Sequence, residues 1–342
     1  MTPNSPVDPL TRSSLGRLAA AAILASNPHN TQPWRITAGP DRLVIAADTA
    51  RHLGAFDPFR REMWIGLGAA IGNAEIAARP FGFRTGAPEI EALGADGAGR
   101  IVMAVEPAAP VADPLFDALP RRKTNRAPYV EGPVAEERMQ RVIDLAGAVD
   151  GARLLMFDRA TEPGARFAEA TVAATRAINA DAEMSHDGHV WYRGNARDVA
   201  RFRDGVSIPT AGLSPLVTIL GQLMPAPDAE TSGRYWLRST EAQVAATSGF
   251  GLIVVDNLDD RNGQVAAGRL WQRLHLALTA EGLAAQPLNQ LPEMVDRDRQ
   301  LGLDGGWQET LGGLTGGAGA VTFAFRYGDP LSNVPHSARR PL

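Results

Sequence analysis

The sequence predicts an α+β protein made of two related units. Its strand-like segments are short and are separated by helical segments, which is typical of the α+β class. A helix, a short break and a strand occur in residues 10–46 and again, in the same order, in residues 133–157. A proline-rich stretch, residues 107–114, lies between them. We therefore expect one half in residues 1–110 and the other in residues 111–342.

In the first half, apolar residues recur at helical spacing in residues 10–24, and alanine and glycine dominate a second helical segment, residues 60–79. Gly66, Gly68 and Gly72 superficially resemble a dinucleotide-binding fingerprint, but no strand leads into them. Close packing of one helix on another is the better interpretation. Short strands are predicted at residues 34–37, 43–46 and 100–105.

In the second half, residues 182–240 are predicted to be irregular and polar with short helical pieces, and residues 182–212 are a candidate lid. Glycine-rich residues 312–319 predict a turn. Further helices are predicted at residues 133–148, 162–181 and 263–281. Further strands are predicted at residues 152–157, 251–255 and 320–325.

The composition is that of an ordinary soluble globular protein, with 44% hydrophobic and 21% charged residues among 342. A net charge of -4 disfavours a nucleic-acid partner, and no apolar run approaches the roughly 20 residues that span a membrane. The absence of cysteine excludes disulfides and thiolate chemistry and fits a reducing, cytoplasmic location. Residues 18–25 faintly resemble a signal-peptide core, but a buried helix is the better interpretation.

Residues 26–34, Ser-Asn-Pro-His-Asn-Thr-Gln-Pro-Trp, are the stretch around which we expect the chain to be organised. Asparagine, histidine, asparagine, threonine and glutamine crowd into six residues, and two prolines stiffen the backbone. The pattern predicts a rigid loop that presents hydrogen-bonding side chains in a fixed order.

Two later stretches carry weaker signals. Arg122, Thr124 and Arg126 alternate along the chain, so an extended backbone would point them one way, as a phosphate site needs. A solvated basic loop is the alternative, and the Arg339-Arg340 pair near the C-terminus is a similar, weaker signal. Residues 282–290 end a long helix and offer backbone amides and amide side chains; a plain helix-to-strand connection is equally compatible.

Together these stretches resemble the nitroreductase-like FMN flavoproteins. The resemblance is to the branch with two half-units in one chain, as in the mycobacterial dormancy-associated members. The family's loop, approximately Pro-Ser-x-x-Asn-x-Gln-Pro-Trp, is matched at Asn30, Gln32, Pro33 and Trp34. Its Arg-x-Ser-x-Arg phosphate motif is matched at Arg122, Thr124 and Arg126, with threonine in place of serine. Its segment along the flavin ring is matched at residues 287–290, and its C-terminal end at residues 326–330 and the basic tail.

The resemblance implies a nitroreductase-like fold in which the two halves form a pseudo-dimer with one FMN between them. It implies an oxidoreductase in which NADH or NADPH reduces a small-molecule acceptor, a nitroaromatic or quinone, through flavin N5. The chain would be a monomer or a homodimer. The implied cofactor contacts are Asn27, Pro28, His29, Asn30, Gln32, Arg122, Lys123, Thr124, Arg126, Pro287, Leu288, Asn289, Arg339 and Arg340.

No catalytic residue or metal ligand is expected, because the flavin carries the chemistry. His29 could donate a proton, although a positioning role is the better interpretation. The main rival is an FMN-binding protein with little turnover, closed by the lid. A metal hydrolase is disfavoured because the spacing of Asp181, Glu183, His186, Asp187 and His189 matches no metal motif. A serine hydrolase is disfavoured because no Gly-x-Ser-x-Gly elbow is present.

Overall fold

The structure is a computed structural model that describes residues 15–92, 98–213, 218–219 and 227–342. It contains helices and antiparallel sheets in separate layers, which confirms the predicted α+β class. The predicted helices and strands outside the irregular stretch are present within a few residues of their expected ends, except for the helix predicted over residues 10–24. That helix is seen from Gly16 to Ala22, and residues 10–14 of the prediction lie outside the described residues. The helices are α1 (Gly16–Ala22), α2 (Arg61–Ala78), α3 (Glu136–Ala146), α4 (Glu162–Ala180), α5 (Ala182–Val190), α6 (Ala196–Phe202), α7 (Ala229–Ala245), α8 (Arg261–Ala280), α9 (Gln290–Leu301) and α10 (Trp307–Thr315).

The first sheet is built entirely from strands of residues 34–107. Its strands are β1 (Trp34–Ala38), β2 (Arg42–Ala47), β3 (Phe83–Thr85), β4 (Glu89–Ala92) and β5 (Gly99–Pro107). They run in the order β1-β2-β5-β3, with β4 also paired to β5, and every pairing is antiparallel. Leu43, Ile45 and Ile101 lie on the same face of the sheet, because side chains alternate between the two faces along a strand. All three are fully buried, as expected for a sheet with one core-facing side.

The second sheet belongs to residues 153–328. Its strands are β6 (Arg153–Asp158), β9 (Gly249–Val255), β10 (Ala284–Pro287) and β11 (Ala320–Gly328). They are antiparallel in the order β10-β11-β9-β6. Strand β9 is buried along its whole length, because helices and core residues cover both of its faces. Two short strands, β7 (Tyr192–Arg193) and β8 (Val206–Ser207), pair in parallel within the candidate lid.

Helices α2 and α8 cross at the centre of the molecule with their backbones in close contact. A Cβ placed on Gly68 would lie 2.3 Å from the carbonyl oxygen of Val265, and one on Gly268 would lie 2.0 Å from that of Ile65. Only glycine permits this approach. The prediction that the glycines of residues 66–72 pack helix on helix is therefore confirmed at Gly68. The core around the two helices contains residues of both sheets.

Three local predictions were wrong or incomplete. Strands β3 and β4 were missed, because the surrounding glycines and prolines favour a break. Among the described residues of 182–240, the prediction missed the long helix α7 (Ala229–Ala245). Asp228 caps this helix, because its carboxylate accepts the Thr231 amide at 2.8 Å. Residues 214–217 and 220–226 of the predicted stretch lie outside the described residues. The first half of the predicted glycine turn, residues 312–315, lies in α10, and the turn itself follows at residues 316–318.

The strands of each sheet fall within one of the two expected halves. The division at residue 110 and the relation between the halves stay predictions. Within the described residues, no helix is long and apolar enough to cross a membrane.

Candidate functional site

The backbone of the 26–34 loop adopts a left-handed conformation that residues other than glycine rarely adopt. His29, Asn30 and Gln32 all have positive φ, at 43°, 57° and 52°. A residue other than glycine in this conformation costs on the order of 1–3 kcal/mol of folding free energy and persists only where its surroundings hold it. Such strain concentrates at functional sites. The sequence predicted a rigid loop at this point, and the φ values identify where the backbone is constrained.

The loop is anchored on the two central helices. Trp271 of α8 donates its indole N–H to the Ser26 hydroxyl at 3.0 Å, and the Ser26 amide donates to the Gln272 side chain at 3.1 Å. Gln272 in turn donates to Asn73 of α2 at 2.7 Å. A Cβ on Gly66 would lie 3.1 Å from the ring of Pro28, so α2 is a close floor beneath the loop. These contacts fix where the loop begins.

Asn27, Asn30 and Gln32 use their amide side chains within the protein. Asn27 accepts the backbone amide of Gln32 at 2.7 Å. Asn30 donates to the carbonyls of Ala338 at 3.0 Å and Gly205 at 3.4 Å, and it accepts from the Arg339 guanidinium. In this conformation these amides shape the loop and bind it to its neighbours.

Gln32, two residues after Asn30, also contacts both the candidate lid and the C-terminal tail. It donates to the carbonyl of Arg203 at 2.8 Å and accepts the backbone amide of Arg340 at 2.8 Å. The loop therefore lies between the candidate lid, residues 182–212, and the C-terminal tail, residues 333–342.

Arg122 and Arg339 converge at the C-terminal end of α1. Arg122 donates to the carbonyl of Leu24 at 2.7 Å, and Arg339 donates to the carbonyls of Ile23 at 2.9 Å and Ala25 at 3.1 Å. The unpaired carbonyls at the end of a helix carry partial negative charge, which favours cations there. The structure thus brings together two arginines that are 217 positions apart in the sequence (339 − 122).

Neither arginine has an acidic partner among the ion pairs of the described residues, although most buried charges in proteins are paired. Burial and the neighbouring Arg339 charge lower the pKa of Arg122 to about 9, and burial lowers the pKa of Arg339 to about 10. The buried Nε of Arg122 has no hydrogen-bond partner in the protein. Two guanidiniums without a carboxylate, one with an unused donor, fit a phosphate group.

Further cationic or titratable side chains surround this pair. Lys123 contacts Asn333 of the tail, and His336 has a pKa lowered by burial and by the charges of Lys123, Arg122 and Arg339. His275 lies beneath, with Nε2 3.2 Å from the Lys123 carbonyl. We call Arg122, Lys123, His336 and Arg339 the basic cluster. Sequence reasoning missed His336, and its position three residues before Arg339 was the only signal for it.

Neither Thr124 nor Arg126 is part of the basic cluster. Thr124 forms a parallel bridge with Ala285 of β10, so the basic stretch runs beside the predicted third segment. Arg126 donates instead to the carbonyl of Thr210 at 3.3 Å. Burial lowers the pKa of Arg126 to about 10, with opposing effects from the nearby Tyr129 and Arg326. The structure therefore brings Arg122 to Arg339, and it leaves Arg126 on the side of the lid.

His29 faces Arg126 and the ring of Phe56, whose centroid is 5.5 Å from that of the imidazole. Burial and the Arg126 charge lower the pKa of His29 to about 4. The imidazole is therefore neutral near pH 7, and its buried Nδ1 has no partner in the protein. A neutral ring can accept or donate a hydrogen bond, but it holds no readily released proton at this pH.

Pro287 ends β10 at the edge of the second sheet, and Leu288 and Asn289 follow it. The Leu288 amide donates to the Ala324 carbonyl at 2.8 Å, and Asn289 accepts the Ala324 amide at 2.9 Å. The Leu288 side chain belongs to a hydrophobic core and is 1% exposed. Of the three, Pro287 is the only one that is partly exposed.

The lid is held over the loop by charge and aromatic contacts. Asp204 of the lid accepts from Arg193 at 2.7 Å and also pairs with Arg51, which donates to the Thr31 carbonyl of the loop at 2.6 Å. The guanidinium of Arg51 lies 5.2 Å from the Trp191 ring. Arg51 therefore connects the lid directly to the loop.

The acidic residues that could suggest a metal site have other partners. Asp181 caps α5 and, with Glu183, pairs with Arg297 at 2.8 and 2.9 Å. Asp187 accepts the Ala55 amide at 2.8 Å. Among the described residues, no group of three or more potential ligands could hold a metal ion.

No protein-family model matches the chain. Two Mycobacterium tuberculosis proteins do match it, "Putative NAD(P)H nitroreductase Rv3131" of strain H37Rv and "Putative NAD(P)H nitroreductase MT3217" of strain CDC 1551. Each is 25% identical over 280 residues, which cover 79% of this chain and 74% of the relative.

Solved nitroreductase structures also align with the chain. The FMN-dependent nitroreductase NfnB of Mycobacterium smegmatis in complex with NADPH is 17% identical, with a TM-score of 0.40 over 66% of this chain and 94% of its own. A Desulfitobacterium hafniense nitroreductase with bound FMN is 12% identical, with a TM-score of 0.41 over the same shares. These scores are too low to support an inference about this chain. The curated relatives, in contrast, support the resemblance seen in the motifs: the chain is similar to proteins named as putative NAD(P)H nitroreductases.

Proposed function

We propose that this protein is an FMN-dependent oxidoreductase that uses NADH or NADPH to reduce small electron-poor acceptors such as nitroaromatics or quinones. The observation that carries the proposal is the basic cluster. Buried, unpaired guanidiniums are unfavourable unless an anion neutralises them, and the 26–34 loop with its family-like sequence lies directly against Arg339. The names of the mycobacterial relatives support the same class of reaction.

Arg122 and Arg339 would hold the phosphate of FMN, and Lys123 and His336 would add positive charge around it. Thr124, beside β10, would connect this end of the site with Pro287 and Asn289. FMN supplies the hydride-accepting and hydride-donating chemistry when bound. The residues of this chain need only bind, orient and shield it, which fits a site without a nucleophile or a metal-binding group among its described residues.

His29 and Asn30 would face the flavin from the strained loop. The lowered pKa of His29 argues for a neutral, positioning imidazole rather than a proton donor at pH 7. Asn27, Pro28 and Gln32 would act by holding that loop, and Arg340 would act through its backbone amide on Gln32. Arg126, near His29, would contribute positive charge at the side of the lid.

A second candidate function is FMN binding with little turnover, and the closed lid is the observation that favours it. Gly205, Arg203 and Asp204 all contact the loop or its partner Arg51. If the lid stays in place when cofactor is bound, a nicotinamide could not stack against it. Both candidates use the same basic cluster, so they differ only in access.

The test is the visible spectrum of the purified full-length protein, followed by anaerobic titration with NADPH and with NADH. A flavin spectrum that bleaches with either donor supports the oxidoreductase, and an acceptor screen would then identify the substrate class. A flavin spectrum that resists both donors but bleaches with dithionite supports binding without turnover. A colourless protein that takes up no added FMN contradicts both.

A further inference from the structure

A second cluster of buried charges lies beside the proposed site, and no motif pointed to it. Asp57, Glu62, Glu293 and Asp296, which we call the acidic cluster, come from the loop before α2, from α2 and from α9. Asp57 and Asp296 are 0% exposed, and Glu62 and Glu293 are each 5% exposed. Four carboxyl groups at this depth cannot all be ionised unless nearby cations neutralise them.

Arg61 is a buried cation within the acidic cluster, and its hydrogen bonds go to groups other than the two glutamates. Its Nε donates to Asp296 at 2.7 Å, and another of its nitrogens donates to the Thr322 carbonyl. Its nearest approach to Glu62 is 3.9 Å, which is beyond a hydrogen bond. Arg299 also pairs with Asp296, at 3.3 Å. The hydrogen bonds of Arg61 are thus directed to Asp296 and Thr322, and its approach to Glu62 is a longer ion pair without a hydrogen bond.

Asp57 has a structural role that needs its ionised form. Its two carboxylate oxygens accept the backbone amides of Glu62 and Met63, each at 2.9 Å, and so cap the first turn of α2. Arg261 faces Asp57 from α8 and adds a partly buried cation. Asp57 therefore adds negative charge next to the glutamates and raises the cost of ionising them.

The side chains of Glu62 and Glu293 lie within hydrogen-bonding reach of each other, and the buried Oε1 of Glu62 has no donor among the described residues. Two carboxylates have no donor between them, so a carboxyl–carboxyl hydrogen bond requires a proton on one of them. Burial, and the repulsion between like charges, raise the pKa of both residues. The groups that face this pair are Arg61, Asp57 and Asp296.

Asn289 connects this pair to the proposed flavin site. Its side-chain amide is within hydrogen-bonding reach of the Glu62 carboxyl, and its oxygen accepts the Ala324 amide at 2.9 Å. The orientation of the amide is therefore set from both ends. The neighbouring Gln290 places a buried side-chain oxygen here that has no partner in the protein.

We propose that Glu62 and Glu293 share one proton in the folded protein, and that this pair is a positioning element for residues 287–289 of the site. The second half of this statement rests on the proposed function. The first half does not, because it depends only on the buried carboxyl groups. When the shared proton leaves, the two carboxylates repel each other and move apart. The Asn289 amide, which is within hydrogen-bonding reach of Glu62, should then change its position or its hydrogen bond.

The shared proton is tested on cofactor-free protein by infrared spectroscopy across pH. A protonated carboxylic acid has a C=O stretching band above the amide I band, and this band moves to lower frequency in deuterium oxide. We expect such a band in the wild type at neutral pH and its loss at alkaline pH. In Glu62→Gln and in Glu293→Gln the band should shift or disappear, whereas exposed Glu309→Gln should leave it unchanged.

The absence of the band in the wild type at neutral pH would overturn the shared proton. So would a band that is the same in both glutamine variants, since the proton would then belong to another acid. Circular dichroism of each variant separates these outcomes from loss of fold, and the pH titration of the wild type needs no variant at all.

The positioning role is tested on protein that has bound FMN. The absorption spectrum of the flavin should shift with pH with the same midpoint as the infrared band, and Glu62→Gln should abolish this shift while FMN still binds. A wild-type spectrum that stays constant while the band titrates would overturn the positioning role and leave the proposed function standing. Failure of the wild type to bind any FMN would overturn the proposed function and leave the shared proton standing.

Discussion

The molecule contains two clusters of like charge, one basic and one acidic, and the two differ in how their charge is balanced. The basic cluster (Arg122, Lys123, His336 and Arg339) contains no acid, and its guanidiniums rest on the carbonyls of residues 23–25. The acidic cluster contains four carboxyl groups and directs its one buried arginine to Asp296. One cluster lacks an anion, whereas the other has more carboxyl groups than its cations can neutralise.

This difference indicates what each cluster needs from outside the chain. A guanidinium cannot lose its proton at neutral pH, so the basic cluster can be neutralised only by a bound anion. A carboxylate can take up a proton, so the acidic cluster can be neutralised by water alone. Excess buried charge therefore points to a ligand when it is positive and arginine-based, and to protonation when it is carboxylic.

The largest effect should come from Asp296→Ala, which removes the partner of Arg61 in the acidic cluster. Removing one member of a buried ion pair costs about 3–5 kcal/mol of unfolding free energy, here because Arg61 loses its short hydrogen bond and its charge must be balanced by ionising the more distant Glu62. Urea denaturation measures the change. The matched control is Asp259→Ala, which breaks the ion pair between Arg299 and Asp259, a side chain that is 60% exposed. This variant should lose no more than about 1 kcal/mol of unfolding free energy. Equal losses in the two variants would contradict the assignment of Arg61 to Asp296.

The basic cluster is broken next, by Arg122→Ala. Loss of a hydrogen bond to a charged group costs about 1.5–3 kcal/mol, so FMN should bind about tenfold to a hundredfold more weakly. Quenching of FMN fluorescence measures the affinity. The adjacent Arg121 is exposed and bonds only the Asp117 carbonyl among its described contacts, so Arg121→Ala should bind FMN like the wild type. An unchanged affinity for FMN in Arg122→Ala would show that the FMN phosphate does not bind at the basic cluster.

The lid separates the two functions that the basic cluster allows. Asp204→Asn weakens the contacts with Arg51 and Arg193, so the open form should become about tenfold more populated. If the lid gates access, the anaerobic rate of flavin bleaching by NADPH should rise by a similar factor in stopped-flow experiments. Arg35 and Asp48 pair outside the lid, and Arg35→Ala is the control. A rate that does not change in Asp204→Asn would show that the lid is not the barrier.

The sequence was sufficient where a local pattern determines the structure. Apolar periodicity predicted α2 and α8, and β-branched and apolar runs predicted β9 and β11. The 26–34 motif identified the strained loop. These features depend on residues that are close in the chain, so they can be read without knowledge of the fold.

Other features depend on contacts between distant residues. His336 lies in a tail without periodicity, and its role follows only from the anchoring of that tail on Asn30 and Gln32. Arg126 leaves Arg122 because Thr124 pairs with Ala285, a register that the sequence does not encode locally. Glu62 and Glu293 lie 231 positions apart (293 − 62), so no motif could join them.

The smallest effect sharpens the acidic side of the comparison. Burial raises the pKa of Glu62 to about 8 from an ordinary value of 4.5. The folded protein therefore holds a proton that the unfolded chain releases, and the unfolding free energy should fall as pH rises through this window. For one proton the slope is at most about 1.4 kcal/mol per pH unit, and it vanishes above the folded pKa.

Glu62→Gln should flatten this slope, because Glu293, whose pKa is raised by burial and by the Glu62 charge, loses that charge and gains an amide donor that favours its ionised form. Urea denaturation at several pH values between 5 and 8, a range set by that raised pKa, measures the slope in both proteins. Glu309→Gln, on the exposed face of α10, should keep the wild-type slope. His336 of the basic cluster, whose pKa is lowered by burial and by neighbouring cations, makes the unfolding free energy rise with pH, because the unfolded chain keeps its proton to higher pH. A fall that survives in Glu62→Gln must therefore come from another acid, and the shared proton would have to be placed elsewhere in the acidic cluster.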